Sequence, residues 1–169
     1  MKLIEDYKIL HEAGAFGGMT LAKFSEPVLK LLKFHGGLTV LDYGSGKGQS
    51  WENHDGLRRF KERLPVTLYD PGVLELSTKP IGTFDAVLCF DVVEHIPEDE
   101  IETTLAEIFG YAERVVLATF CARGSRKKLP SNGQDVHVTQ RPRLFWEELF
   151  HAANMAKRRP VPWYLFENV

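Results

Sequence analysis

Apolar positions along this chain follow two rhythms that take turns. In "FSEPVLKLLKF" (24–34), Phe24, Val28, Leu31 and Leu32 share one helical face; Ser25 is placed to cap the helix, Pro27 is tolerated in its first turn, and Gly36-Gly37 stop it. "LTVLDY" (38–43) then reads as a short buried strand. Residues 50–63 are mostly polar with Trp51, Leu57 and Phe60 at helical spacing, and "VTLYD" (66–70) is a second strand broken by Pro71-Gly72. "FDAVLCFD" (84–91) is nearly continuous in apolar residues, as expected of a strand covered on both faces of a parallel sheet. "PEDEIETTLAEIFGYA" (97–112) sets Ile101, Leu105 and Ile108 on one stripe, with acids crowding the first turn where the helix dipole favours them. "RVVLATF" (114–120) predicts another strand, 121–135 a glycine-bearing basic loop, "RPRLFWEELFHAANM" (141–155) a helix, and the region of "VPWYLFENV" a terminal strand. Alternation of strand and helix predicts an α/β fold with a doubly wound, mostly parallel sheet.

Composition sharpens this picture in a few places. At 169 residues and 44% hydrophobic content, the chain is expected to form one domain, residues 1–169, with its own core. Lys and Arg total 21 against 23 acids, a net charge of −2, which offers no broad attraction to nucleic acid or acidic membrane. Cys89 and Cys121 lie in or at the end of apolar runs without paired metal-site spacing, so no metal is expected and a reduced, cytoplasmic setting fits best. No stretch approaches the roughly 20 apolar residues that span a membrane.

The candidate chemistry begins at "VLDYGSGKGQS" (40–50), where a strand ends and a helix is about to start. Ligands of open α/β sheets bind at such corners, because glycines allow close approach and amides at the helix start are unpaired. The spacing selects among ligands. A phosphate-binding P-loop needs Ser or Thr after its lysine, but Lys47 is followed by Gly48; the dinucleotide fingerprint GxGxxG would place its third glycine at Gln49. What stands here is GxGxG: Gly44, Gly46 and Gly48.

An aliphatic strand ending in Asp and followed by GxGxG resembles motif I of the class I S-adenosylmethionine-dependent methyltransferases. "LYDPG" resembles that family's acidic position on the second strand, and "FDAVLCFDVVEHIP" its fourth-strand motif, with D-x-x-E-H closing the strand. The resemblance runs from about residue 38 to 120. It implies S-adenosylmethionine as methyl donor and S-adenosylhomocysteine as product. It also implies that the backbone of Gly44, Ser45 and Gly46 lines the amino-acid tail of the donor and that Asp42 helps to hold its ammonium, directly or through water. Asp70 accepts from the two ribose hydroxyls, while Phe90, Asp91 and Val92 border the methionine portion. Only twenty residues separate Asp70 from Asp91, where the family usually has a helix, a strand and another helix. The sheet is therefore expected to be shortened there, with Pro71, Leu74 or Ile81 covering the adenine.

The acceptor is less legible. "DVVE" replaces the Asp/Asn-Pro-Pro-aromatic motif of enzymes that methylate exocyclic amines of DNA bases, and neither cysteine sits where attack on cytosine carbon requires a nucleophile. Transfer to an oxygen, nitrogen or carbon of a small molecule remains, in which alignment and removal of a proton are the enzyme's tasks. His95, after the fourth strand, and His137, in the polar loop after the fifth, are the candidate bases; the other histidines read as surface or structural. "ARGSRKK" (122–128) would meet an anionic acceptor, or is a solvated loop. Residues 1–23 are a candidate lid and 121–140 a candidate acceptor-site loop. Two other readings stand beside an enzyme of this kind: a module that binds the donor or its product without catalysis, and a nicotinamide-dependent oxidoreductase, which the failed GxGxxG weakens.

Overall fold

Strand β1 (Val40–Tyr43) is buried at all four positions because it has a parallel neighbour on each side and helices above and below. The computed structural model, which describes residues 3–36 and 38–168, gives a five-stranded sheet in the order β2 (Val66–Tyr69), β1, β3 (Phe84–Cys89), β4 (Ala112–Phe120) and β5 (Trp163–Glu167). All four pairings are parallel. This is the doubly wound α/β sheet that the alternating pattern predicts. β2 is an edge strand, and between Asp70 and Phe84 the only regular element is a 3₁₀ turn, Leu74–Leu76. The predicted shortening is therefore real, and β3 pairs directly with β1.

Two layers of apolar side chains sandwich the sheet. On one face α6 (Glu98–Tyr111) and α7 (Arg143–Met155) bury Ile101, Leu105, Ile108, Trp146 and Phe150. On the other, α2 (Thr20–Lys23), α3 (Ser25–His35), α4 (Gln49–Asn53) and α5 (Asp55–Lys61) bury Leu21, Val28, Leu32, Trp51 and Leu57. Truncating a fully buried aromatic of this kind costs about 3–5 kcal/mol. Helix α1 (Ile4–Glu12) joins neither layer: its Tyr7 packs with Leu129 and Val136 in a third, smaller cluster. Among the described residues, no helix is long and apolar enough to cross a membrane.

Three local expectations are corrected. The helix expected over 50–63 is two helices, because His54 is extended (φ −113°, ψ 117°) and its Nδ1 accepts the Leu57 amide at 3.4 Å, capping α5. Ser25 does not cap α3; it is the first helical residue, and its hydroxyl meets His54 Nε2 at 3.0 Å. Since Nδ1 accepts, Nε2 carries the proton, and this one imidazole ties α3 to the start of α5. The third strand stops at Cys89, two residues before its expected end, because Asp91 turns the chain with a left-handed φ of 63°. Gly36 ends α3 in a left-handed conformation, as expected; Gly37 lies outside the described residues.

Candidate functional site

The carboxyl ends of β1, β2 and β3 open into a cavity of about 380 Å³. That is within the roughly 300–1,000 Å³ of small-molecule sites. Asp42, Gly44, Ser45, Gly46, Asp70, Pro71, Phe90, Asp91 and Val92 all border it, and so does His95. Every residue predicted from sequence for the amino-acid tail, the ribose and the methionine portion thus reaches the same space. Leu74 and Ile81, candidates with Pro71 to cover a purine ring, lie elsewhere: they are 76% and 98% exposed and only Pro71 faces the cavity.

The glycine corner is built for close approach of the fold to itself. At Gly44 the backbone is left-handed (φ +76°), and a Cβ would come within 2.3 Å of Val92 Cγ2. At Gly48 (φ +73°), the residue preceding α4, a Cβ would meet Leu68 Cδ1 at 2.6 Å. Only glycine satisfies both demands. The amides of this corner are not free, contrary to expectation. Those of Gly44 and Ser45 donate to the Tyr69 carbonyl at 2.7 and 3.1 Å, Gly46 donates to Asp70 Oδ2 at 2.8 Å, and Gly48 to the Ser45 carbonyl. They hold β1 to the end of β2, so the corner's polar offering to a ligand is dominated by carboxylates.

Three aspartates supply that offering, each in a different setting. Asp42 is buried and accepts the indole N–H of Trp51 at 2.7 Å. Burial pushes its carboxyl up to about 7; the Trp51 hydrogen bond works against this and the nearby Asp70 adds to it. Asp70 takes one amide on each oxygen, Gly46 on Oδ2 and Gly72 on Oδ1, both at 2.8 Å. It therefore serves as a turn cap and still borders the cavity with unused lone pairs. Asp91 donates its amide to Thr119 Oγ1 at 2.8 Å and receives Asn168 Nδ2 on Oδ1 at 2.9 Å. Asp tolerates the left-handed backbone better than most residues.

At the far end, His95 meets His137 edge to face with ring centroids 4.8 Å apart; His95 borders the cavity, whereas His137 is not among the lining residues. His95 Nδ1 lies 3.0 Å from the Val136 carbonyl, and His137 Nδ1 lies 2.7 Å from that of Arg123. A carbonyl only accepts, so Nδ1 of each ring carries hydrogen, and in the neutral tautomer Nε2 is the nitrogen with the lone pair. Burial pulls His95 down to about 4, with Asp91 opposing and His137 reinforcing the shift, so this ring is neutral at physiological pH. Beside them Glu94 is completely buried, and neither of its carboxylate oxygens has a hydrogen-bond partner. Its own amide and that of Cys121 lie near enough to offset part of the burial, yet burial and then Asp91 hold its carboxyl well above the usual range. Cys89 and Cys121 are both buried, and burial raises both thiols.

Sequence reasoning names residues 1–23 as a candidate lid but none of the side chains by which they reach the cavity. Ile4, Tyr7 and His11 of α1 line the cavity together with Phe16, Lys127 and Asn168. His11 Nε2 lies 3.8 Å from Asp70 Oδ2, so a histidine set aside as structural stands at the predicted ribose position. The signal was present: Ile4, Tyr7 and His11 recur at helical spacing in "IEDYKILH". No comparable signal marks Asn168. Of the basic run 122–128, Lys127 borders the cavity and stacks over the Phe16 ring at 4.7 Å, while Lys128 pairs with Asp135 at 3.6 Å.

No curated protein matches the chain. The family model described as a methyltransferase domain matches residues 19–158. That span includes the glycine corner, all three aspartates and both histidines of the far end. With its all-parallel sheet, the chain belongs to the methyltransferase-domain family, as a class I S-adenosylmethionine-dependent methyltransferase with a shortened sheet.

Proposed function

We propose that the chain transfers a methyl group from S-adenosylmethionine to an oxygen or nitrogen of a small, anionic acceptor. The observation that carries this reading is the convergence of Asp42, Asp70 and Asp91 on one cavity beside the glycine corner. The donor bears an ammonium, a sulfonium and a ribose diol, all of which favour carboxylate neighbours. The residues present fit it. Asp42 would hold the ammonium, Asp70 would accept from the ribose hydroxyls with its free lone pairs, and Asp91, Phe90 and Val92 would flank the methionine portion. Pro71 and Gly72 continue the wall beyond Asp70.

The donor supplies an activated methyl carbon; the protein aligns the acceptor with it and manages a proton. As the acceptor atom bonds to that carbon, the carbon–sulfur bond breaks onto sulfur, leaving a neutral thioether, and the acceptor's proton leaves. His95, which borders the cavity, would take up that proton with His137 against its ring, and Lys127 gives the same end a positive charge that suits an anionic acceptor. A net charge of −2 disfavours nucleic acid as the acceptor.

Calorimetric titration tests the reading. Wild type is expected to bind S-adenosylmethionine and S-adenosylhomocysteine at micromolar concentrations and to ignore NAD. Asp70→Asn should weaken both adenosyl ligands at least tenfold, about 1.4 kcal/mol, with its own melting temperature showing that it folds. A folded wild type that binds neither adenosyl compound overturns the proposal. Tight binding without transfer to any hydroxyl or amine acceptor would leave a binding module instead.

A further inference from the structure

We infer that Asp91, His95 and His137 form a binding site for one divalent first-row transition cation at the acceptor end of the cavity. Its position rests on geometry alone; the role of the ion rests on the methyl-transfer reading above. Each of the three residues offers one ligand atom, and these atoms all lie within 4.8 Å of one another. One carboxylate oxygen and two imidazole nitrogens are a donor set that zinc, iron(II), manganese and cobalt accept while leaving positions open for a further ligand. Around an ion at bond lengths of about 2.0–2.1 Å, neighbouring ligand atoms stand roughly 3.4 Å apart. Closing the remaining gap is within the swing of side-chain torsions.

The groups behind the three ligands are arranged as they are around bound metals. Both imidazoles are fixed through Nδ1 to backbone carbonyls, of Val136 and Arg123, which leaves Nε2 of each as the ligand atom. Such an outer hydrogen bond sets the tautomer and aims the ring in metal sites. Asp91 is held in the same way, with Asn168 on Oδ1. Next to His95 in the chain, Glu94 is fully buried with both carboxylate oxygens unpartnered.

The cation would take the oxygen of a hydroxyl-bearing acceptor in an open position and lower the pH at which that hydroxyl ionises. The acceptor proton then passes to solvent, the oxygen bonds to the methyl carbon, and the carbon–sulfur bond breaks onto sulfur. In this arrangement the histidines act through the ion.

The test uses the tag-free, full-length chain, stripped with EDTA, desalted and titrated with Co²⁺. One equivalent per chain is expected, with visible d–d absorption that Zn²⁺ removes. His137→Ala and Asp91→Asn should each weaken cobalt binding at least tenfold, whereas His151→Ala, on the exposed side of α7, should not. S-adenosylhomocysteine is titrated into the same samples. Its affinity should survive His137→Ala, which shows that the variant is folded. Wild type that binds S-adenosylhomocysteine but gives no cobalt spectrum overturns the inference, as does a His137→Ala variant with full cobalt affinity. Cobalt binding without S-adenosylhomocysteine binding keeps the metal site and overturns the methyl-transfer reading.

Discussion

Asp42 shows how one buried side chain couples ligand chemistry to stability. Its carboxyl titrates at about 7 in the fold against an ordinary 3.8, chiefly because burial penalises the charge. Between those values the unfolded chain has lost the proton that the native state still holds. Stability therefore falls as pH rises through that window and levels off above it. Asp42→Asn keeps an oxygen for the Trp51 N–H and removes the titration. The melting temperature of the variant relative to wild type is accordingly expected to climb from pH 4 to pH 7, by several degrees; parallel profiles would show that Asp42 ionises normally. The same shift makes donor binding release a proton. At pH 6.5 the apparent binding enthalpy should vary with the ionisation enthalpy of the buffer in wild type and not in Asp42→Asn.

Helix α1 walls one side of the cavity, and polar contacts join its small apolar cluster in fixing its place. Asp6 accepts the Ser131 amide at 2.8 Å and the Ser131 hydroxyl at 2.7 Å, and the Tyr7 hydroxyl lies 2.8 Å from the His95 carbonyl and 3.0 Å from that of Val136. Asp6→Ala removes both acceptors from Ser131, a local loss of about 0.5–1.5 kcal/mol per hydrogen bond. Hydrogen exchange should then quicken through residues 125–138 while the amides of β1, β3 and β4 stay protected; uniform exchange across the whole chain would contradict this division. The sheet and its main helices were legible in the sequence because their apolar periods, Ile101–Leu105–Ile108 among them, are set by burial against neighbours. The break at His54 was not, since it depends on a side chain folding back on an amide three residues later. The glycines around Phe16 suggested a lid over residues 1–23, but they overshadowed the amphipathic spacing that puts Ile4, Tyr7 and His11 on the cavity. The aspartates of the site were legible because strand ends place them; the Asp91–His95–His137 grouping was not, because it needs a loop more than forty residues away to fold onto the end of β3.

At the scale of the whole molecule, the family match leaves out α1 and β5. The matched portion carries the donor corner, and the two ends outside the match add Tyr7, His11 and Asn168 to the cavity. A ligand gripped from both the matched portion and the ends should stabilise the fold as a unit. At a hundredfold excess over its dissociation constant, S-adenosylhomocysteine is expected to add about 2.7 kcal/mol, raising the melting temperature by roughly 5–10 °C for a chain of this size. Scanning fluorimetry reads this directly, and an unmoved midpoint at that excess would contradict a single cooperative unit built around the site. The Val136 carbonyl receives both the Tyr7 hydroxyl and His95 Nδ1, each at 3.0 Å, so positions 7, 95 and 136 meet at one oxygen. Tyr7 and Val136 lie 129 residues apart, and joining ends at that separation carries a loop-closure entropy of about 4 kcal/mol. During synthesis the first helix emerges long before its partner exists. Residues 40–72, which make the glycine corner, also precede position 136, so the contact that ties the first helix over the cavity is available only after most of the chain has been made.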